Sequence, residues 1–280
     1  MNWDYKNAVS IWQVSVAALA PVRVVNFSDA DMCASGFFAP TLPFFLPYNC
    51  VQEACILTQE TQFGIRPLSG KISVVTGGGR GIGQAISSRL AQLGATVVVC
   101  GRQREALEAT AAQIRNAGGV SEAVTMDVSS SESVDAAQRE INDRFGSCRI
   151  LVNNAGIRGP EAPLHEIAPE DFDAVIAANL RGTYLCMRAF TPSMIAQGGG
   201  DIVNISSIVG RNPLPRGAVY AASKWAMNGL SYSVAEELRN FGIRVSVISP
   251  ARPKAISNIR VRILTRCYIP TTSPTPSLSW

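Results

Sequence analysis

The stretch that decides the fold is KISVVTGGGRGIGQAISSRLAQLGATVVVC, residues 71–100. It begins with KISVVT (71–76), a short apolar and β-branched run that is typical of a buried strand. The next residues, GIGQAISSRLAQLGA, carry apolar side chains at helical spacing, and Gly94 marks the end of that helix. TVVVC (96–100) then predicts a second strand. A strand, a glycine turn, a helix and another strand together predict a parallel βαβ unit.

The same alternation continues to Pro250. Further strands are predicted at VSEAVTMDV, RILVNNAG, DIVNISS and IRVSVISP, and the helices between them include a long one over about 169–196 and another over 220–240. The strands are nearly continuous apolar runs, which indicates a parallel sheet covered on both faces. Right-handed crossovers then predict an α/β protein, with a doubly wound Rossmann-type parallel sheet flanked by helices.

The two ends of the chain do not share this pattern, so we divide it into residues 1–69, 70–250 and 251–280. Residues 1–69 have no clear period, and their FFAPTLPFFLP run (37–47) contains prolines that exclude a helix. That segment is an irregular strap over the core, a poorly ordered extension or the product of a mistaken start site. Residues 251–280 carry no acidic residue and end in a Ser/Thr/Pro tract, which predicts a disordered tail.

Composition excludes several classes of function. The formal net charge is +4 and the arginines are scattered, so no nucleic-acid footprint is indicated. The seven cysteines include no CxxC pair and the chain has one histidine, so neither a disulfide framework nor a metal site is predicted. No apolar stretch is long enough to span a membrane, and AVSIWQVSVAALAP (8–21) lacks the charge pattern of a signal peptide. We therefore expect a cytoplasmic protein.

The loop between the first predicted strand and helix predicts a nucleotide site. Gly77, Gly81 and Gly83 would permit a tight turn and let the backbone approach a pyrophosphate at the helix N-terminus. A glycine motif alone is weak, since most glycine turns are structural. Here the strand before it and the helix after it supply the required context, so we predict nucleotide binding.

The end of the second predicted strand bears on which nucleotide is bound. An acidic residue at that place would bind a ribose 2′-hydroxyl and favour NAD. This chain instead has Arg102 in CGRQRE, and Arg80 lies within the glycine loop. Because guanidinium groups match a 2′-phosphate, we predict NADP(H) over NAD(H). The alternative is that both arginines point to solvent.

Four ordered motifs resemble those of the short-chain dehydrogenase/reductase family. They are TGGGRGIG (76–83), NNAG (153–156), NISS (204–207) and YAASK (220–224). The resemblance covers about residues 70–250. The wording of the motifs is most similar to that of the 3-oxoacyl-[acyl-carrier-protein] reductase-like and broad carbonyl reductase branches. It implies reduction of a ketone or 3-oxoacyl group to an alcohol, or the reverse, on a small-molecule substrate. It also implies a homodimer through the long helices.

The resemblance implies a catalytic set made of Asn179, Ser207, Tyr220 and Lys224. Tyr220 matches the acid/base and Lys224 its partner, four residues on and therefore on the same helix face. A nearby ammonium would lower the pKa of the tyrosine from about 10, so the pair could protonate an alkoxide in a chain with one histidine. Ser207 would polarise the substrate carbonyl. The alternative is an ordinary surface pair of side chains.

The cofactor-binding set that the resemblance implies is larger. It comprises Gly77, Arg80, Gly81, Ile82, Gly83, Arg102, Asp127, Val128, Asn153, Ala155, Gly156, Tyr220, Lys224 and Pro250. Asp127 would lie near the adenine ring and NNAG beside the cofactor.

The chain departs from the family pattern after Pro250. Ala251 stands where glycine is usual, and only 30 residues remain. We therefore expect that the last helix, the seventh strand and the substrate lid are absent, leaving the strand that ends near 249 as an exposed edge. Three hypotheses follow: an NADP(H)-dependent reductase, a catalytically silent nucleotide-binding protein, or an unstable fragment.

Overall fold

A computed structural model of the chain describes residues 24–26 and 66–250. Their strands are β1 (Val24–Asn26), β2 (Ile72–Thr76), β3 (Thr96–Gly101), β4 (Val120–Thr125), β5 (Cys148–Asn153), β6 (Gly200–Ile205) and β7 (Ile243–Ser249). Their α-helices are α1 (Gly81–Gln92), α2 (Arg104–Asn116), α3 (Ser131–Phe145), α4 (Pro169–Ile176), α5 (Gly182–Ala196) and α6 (Ala218–Leu238). The expected tail, residues 251–280, lies outside the described residues.

All these strands form one parallel sheet in the order β1-β7-β6-β5-β2-β3-β4. The Rossmann-type doubly wound fold predicted from the sequence is thereby confirmed. From β2 the chain moves outward to β3 and β4, then returns to β5 on the other side of β2 and continues to β6 and β7. The point of reversal lies between β2 and β5, and ligands of such sheets bind at the carboxyl ends of the strands there.

The sheet is buried by helices on both faces. One apolar cluster contains Val74, Val98, Leu151 and Ile202 of the strands with side chains of α3, α5 and α6. The other contains Val75, Val97, Val99 and Val152 with side chains of α1 and α2. Successive strand residues point to opposite faces, so the mainly apolar strands contribute side chains to both layers.

The part of the chain before residue 70 contributes to the sheet. β1 pairs in parallel with β7, with Val24 opposite Val247, Val25 opposite Ile248 and Asn26 opposite Ser249. The expectation that this edge would be exposed is therefore wrong at residues 247–249, where a strand from the N-terminal region covers it. Leu68 is also buried in the core, so the packed region begins slightly before residue 70.

Removing β1 is expected to destabilise the fold. A chain that lacks residues 1–30 loses the backbone pairing along 247–249 and exposes that sheet edge. We expect a loss of about 1–2 kcal/mol and a Tm lower by several degrees, measured by thermal unfolding. A chain that lacks residues 1–20 retains β1 and is the matched control. Equal Tm values for the two truncations would contradict the structural role of β1.

Candidate active site

The glycine loop is packed so closely that side chains are excluded from two of its positions. Gly77 has φ +63°, and a Cβ there would lie 2.9 Å from Cα of Ala155. A Cβ on Gly83 would overlap the carbonyl oxygen of Gly77 and lie 2.6 Å from Nδ2 of Asn154. These contacts hold the loop against β5 and bring the first turn of α1 close to the end of β2. The conformation predicted from the glycine spacing is present.

The N-terminus of α1 is open toward the crevice. Arg80 precedes this twelve-residue helix with extended backbone angles, and its side chain makes no capping hydrogen bond. A Cβ on Gly81, which has φ +56°, would meet nothing within 4 Å. The first N–H groups of a helix have no partner within the helix, so this end offers donors to an anion. The loop therefore fits the pyrophosphate of a dinucleotide. Ile82, the next residue, instead packs partly against the core.

A polar junction joins β2 to β5 beneath this loop, and it was not foreseen from the sequence. The hydroxyl of Thr76 accepts hydrogen bonds from the backbone N–H groups of Asn154 and Ala155, at 3.0 and 2.9 Å. The Asn154 side-chain amide donates to the carbonyls of Thr76 and Gly77, at 2.9 and 3.1 Å. The junction fixes the two strand ends that border the crevice. The second asparagine of NNAG was its signal in the sequence.

Asn153 was predicted to bind the cofactor, but its side chain points into the core. It is 2% exposed, and its amide donates to Oδ1 of Asn204 at 2.8 Å. Asn204 in turn donates to Ser231 of α6 at 2.8 Å. The side chain of Asn153 thus links β5, β6 and α6 inside the core, which leaves only its backbone to face a nucleotide.

Asp127 and Arg102 lie close to each other beyond the ends of β4 and β3. Burial opposes ionisation of Asp127, but hydrogen bonds from the backbone and hydroxyl of Ser129, with the charge of Arg102, lower its pKa below the usual value. The two bonds to Oδ1 of Asp127 measure 2.9 and 2.7 Å. Asp127 is therefore an ionised acceptor on a rigid turn. Val128 is 9% exposed and would contact a Cβ added at Gly182, so it is mainly a packing residue.

Tyr220 and Ser207 come together at the carboxyl edge of the sheet. Tyr220 lies in the first turn of α6, and Ser207 follows β6 at the start of a short 3-10 helix, Ile208–Gly210. The Ser207 hydroxyl lies close enough to Tyr220 to lower the pKa of the tyrosine. Ser206 is instead buried, with its hydroxyl donating to the carbonyl of Lys224 at a long 3.5 Å. Of the two serines, Ser207 is the one next to the tyrosine hydroxyl.

The pKa values of Tyr220 and Lys224 differ from the sequence-based expectation. Burial raises the pKa of Tyr220 above 10, although the Ser207 hydrogen bond and the charge of Arg158 lower it in part. Lys224 is 4% exposed, and burial lowers its pKa to about 8. Its Nζ lies 5.9 Å from the centre of the Tyr220 ring and donates to the carbonyl of Ile205 at 2.8 Å. In the chain alone, burial outweighs the expected effect of the lysine on the tyrosine.

Asn179 lies in an irregular helical turn, where the sequence predicted one long helix. The turn Ala177–Arg181 has π-helical geometry and separates α4 from α5. The carbonyl of Asn179 accepts a hydrogen bond from the Thr183 hydroxyl at 2.8 Å. Its side chain accepts from the N–H of Ile157 at 2.8 Å and donates to the carbonyl of the same residue at 2.9 Å. Such turns are frequent at functional sites.

Ser223 connects the helix of Tyr220 to Asn179, and sequence reasoning missed it. Its hydroxyl donates to the carbonyl of Tyr220 at 2.7 Å and accepts from the Asn179 amide at 3.0 Å. Gly156 lies beside this contact, because a Cβ there would be 2.8 Å from Oδ1 of Asn179 and 3.9 Å from Nζ of Lys224. The signal was present in YAASK, in the serine immediately before the lysine.

Of the remaining predicted residues, Ala155 lies in the Thr76 junction and Pro250 accepts a hydrogen bond from Ile208.

Together these groups define a class of protein. An anion cradle at the reversal point of a doubly wound sheet lies at the same sheet edge as a tyrosine, a serine and a buried lysine, which suits a dinucleotide-dependent oxidoreductase. Residues 71–260 match the family model described as short chain dehydrogenase. The chain therefore belongs to the short-chain dehydrogenase/reductase family, whose members are oxidoreductases acting on CH–OH or C=O groups.

Individual relatives agree with this assignment. The chain is 40% identical over 181 residues to a 3beta-hydroxysteroid dehydrogenase of Mediterraneibacter gnavus, a match that spans 65% of each chain. It is 46% identical to a metagenomic short-chain oxidoreductase solved with NADP, covering 69% of this chain and 89% of that one with a TM-score of 0.65. A xylitol dehydrogenase solved with NAD⁺ is 36% identical, with coverage of 66% and 71% and a TM-score of 0.65. In residues 24–26 and 66–250, no helix has the length and apolar character needed to cross a bilayer.

Proposed function

We propose that the chain is an NADP(H)-dependent reductase that converts a ketone or 3-oxoacyl group to an alcohol, and that it can run the reverse reaction. The position of Ser207 beside Tyr220 carries this proposal, because two hydroxyl groups there share the sheet edge with the glycine cradle. Polarisation of a carbonyl needs such donors. The relatives are named dehydrogenases or oxidoreductases, which supports the same chemistry.

The residues of the chain have separate roles in this proposal. A reduced nicotinamide supplies a hydride when it is bound. Ser207 donates a hydrogen bond to the substrate oxygen and Tyr220 gives that oxygen its proton. Lys224, charged below a pH of about 8, stabilises the tyrosinate that remains. Asn179 and Ser223 hold the loop at Ile157 against the helix of Tyr220.

One assay series tests the proposal. NADPH binding is followed by its fluorescence, and turnover by NADPH oxidation with ketones and β-keto thioesters. Binding with turnover supports a reductase. Binding without turnover supports instead the silent nucleotide-binding protein that the sequence departure at Ala251 also allows, and an aggregate without binding supports an unstable fragment. The latter two results would contradict the proposal.

The preference for NADP(H) depends on Arg80 and Arg102. Both are exposed, and Arg102 lies near the ionised Asp127. We expect Arg102→Gln to weaken NADPH binding by about 10- to 100-fold, since a charge-assisted contact to phosphate is lost, while NADH affinity changes little.

Dissociation constants for the two cofactors measure this preference. Arg104→Gln is the matched control, because Arg104 is only two residues away but already pairs with Glu108 at 3.2 Å. Equal NADPH affinity in the Arg102 variant and the unchanged chain would refute the role of Arg102. Tighter binding of NADH than of NADPH by the unchanged chain would refute the NADP(H) preference itself.

The partner of the chain in this proposal is a second copy of itself. A shallow and mainly apolar groove is lined by Ile176, Leu180, Tyr184, Ala226 and Leu230 together with Arg181, and the nearby Trp225 is 54% exposed. Exposed aromatic and aliphatic side chains on neighbouring helices favour a two-fold helix interface. A single 29.9 kDa species in sedimentation at micromolar concentration would contradict the dimer.

A further inference from the structure

Two loops at the catalytic edge are joined by a pair of arginines, Arg158 and Arg216. Arg158 pairs with the carboxylate of Glu161 at 3.4 Å. Arg216 donates to the backbone carbonyl of the same Glu161 at 3.2 Å. The loop after β5 is thereby joined to the loop that precedes α6, and both guanidinium groups converge on one residue.

The position of Arg158 is fixed by the catalytic network. The residue before it, Ile157, is held by Asn179 through both its N–H and its carbonyl. Asn179 is in turn bonded to Ser223, which also bonds the carbonyl of Tyr220. Arg158 therefore directly follows a residue whose backbone is connected by hydrogen bonds, through Asn179 and Ser223, to the helix that carries Tyr220. Its positive charge lowers the pKa of Tyr220 in part.

The position of Arg216 is fixed by its backbone. Arg216 has φ +60°, in the left-handed region that a residue with a side chain rarely adopts, and α6 begins two residues later at Ala218. Such a conformation costs about 1 kcal/mol or more and concentrates at ligand-binding and active sites. Gly217 after it is buried, so the turn is packed against the protein. Arg216 is thus held four residues before Tyr220.

The charges on these loops do not cancel. Glu161 supplies one carboxylate to Arg158, while Arg216 contacts only an uncharged carbonyl among the described residues. Of the other ionisable side chains on the same loops, His165 and Glu166 lie 3.8 Å apart, and Arg211 contacts the hydroxyl of Tyr232 at 3.2 Å. The Arg158–Glu161 pair is 63% exposed on both sides, so it contributes little stability and a better partner can displace it.

We propose that Arg158 and Arg216 bind an anionic group of the substrate, so that the carbonyl compound reduced at Tyr220 carries a carboxylate. The carboxylate replaces Glu161 as the partner of Arg158 and is bound in a forked arrangement that guanidinium groups favour. Arg216 supplies the second positive charge from the opposite loop. This inference rests on the proposed reductase function and adds the class of its substrate.

Matched substrates test the proposal on the full chain with NADPH. Acetoacetate and its neutral methyl ester share one ketone and differ in the charge. We expect kcat/KM to be higher for acetoacetate, and Arg158→Gln and Arg216→Gly each to lower it about 10- to 100-fold for the acid with a much smaller loss for the ester. Glycine is used at 216 because it keeps the positive φ without strain. Arg139→Gln on α3 removes an exposed charge elsewhere and is the control.

A variant of the opposite sign and a binding measurement complete the test. Glu161→Gln removes the competing carboxylate and is expected to raise the affinity for acetoacetate about two- to fivefold. Acetoacetate binding to the chain with NADPH is followed by cofactor fluorescence, which needs no turnover. Turnover of the ester but not of the acid, or equal losses for both in the arginine variants, would overturn the anion site and leave the reductase standing. Binding of the acid without turnover of either compound would support the anion site and refute the reductase.

Discussion

Tyr220→Phe is expected to lower kcat for carbonyl reduction by about 10²- to 10⁴-fold while NADPH binding is retained. The change removes one hydroxyl, and a positioned acid or base contributes rate factors of that size. Tyr220 is partly buried beside Ser207, so the phenylalanine ring fits where the tyrosine ring lies and only the proton donor is lost. Steady-state NADPH oxidation together with NADPH fluorescence separates turnover from binding.

Tyr232→Phe is the matched control, because Tyr232 lies on the same helix and its hydroxyl contacts only the exposed Arg211 among the described residues. Its kcat is expected to stay close to that of the unchanged chain. Retention of most activity by Tyr220→Phe would show that Tyr220 is not the proton donor.

The rate of reduction by the unchanged chain is expected to fall at high pH. The cause is that Lys224 loses its charge as the pH rises through about 8, and Tyr220 loses its proton at a still higher pH.

Gly83→Ala is expected to abolish NADPH binding within the measurable range. The added Cβ overlaps the carbonyl of Gly77 and crowds Nδ2 of Asn154, which are backbone and anchored groups that cannot move aside independently. The loop must therefore shift as a unit, which displaces the N–H groups of α1 and breaks the junction with Thr76. We expect a Kd raised by more than about 100-fold and a destabilisation of about 1–3 kcal/mol, as overpacking in a close-packed interior produces.

Gly229→Ala provides the comparison for the glycine loop. Gly229 lies within α6, and a Cβ there would meet nothing within 4 Å. Alanine is favoured over glycine inside a helix by about 0.5–1 kcal/mol, so this variant should have an equal or higher Tm and unchanged NADPH affinity. NADPH affinity near the unchanged value in Gly83→Ala would show that the loop is less rigid than its packing indicates.

Local patterns predicted the sheet, and they pointed to several side chains that the folded chain brings to one edge of it. The run from Lys71 to Cys100 has a strand, turn and helix that agree with one another, and the structure shows them at nearly the predicted residues. Tyr220, Ser207 and Lys224 do meet at one edge, because a parallel sheet brings successive strand ends together. The sequence spacing therefore carried real three-dimensional information.

Features that depend on distant contacts were not predictable. The π-helical turn at Asn179 arises where the asparagine side chain must reach Ile157 and Ser223, and helix propensity contains no sign of it. The raised pKa of Tyr220 reflects burial, which only the folded chain defines. β1 is three residues long, too short for a periodic signal, and its partner lies near the other end of the core.

The place of β1 also has a consequence for the order in which the molecule is completed. Val24 and its partner Val247 are separated by about 220 residues, so this pairing has a high contact order and its loop is costly to close. During synthesis β1 emerges before the other described strands, and β7 emerges after them. In that interval the backbone of residues 24–26 can pair with β7 of another copy. The same strand that completes one sheet can therefore join two chains by exchange, at a rate that rises with protein concentration.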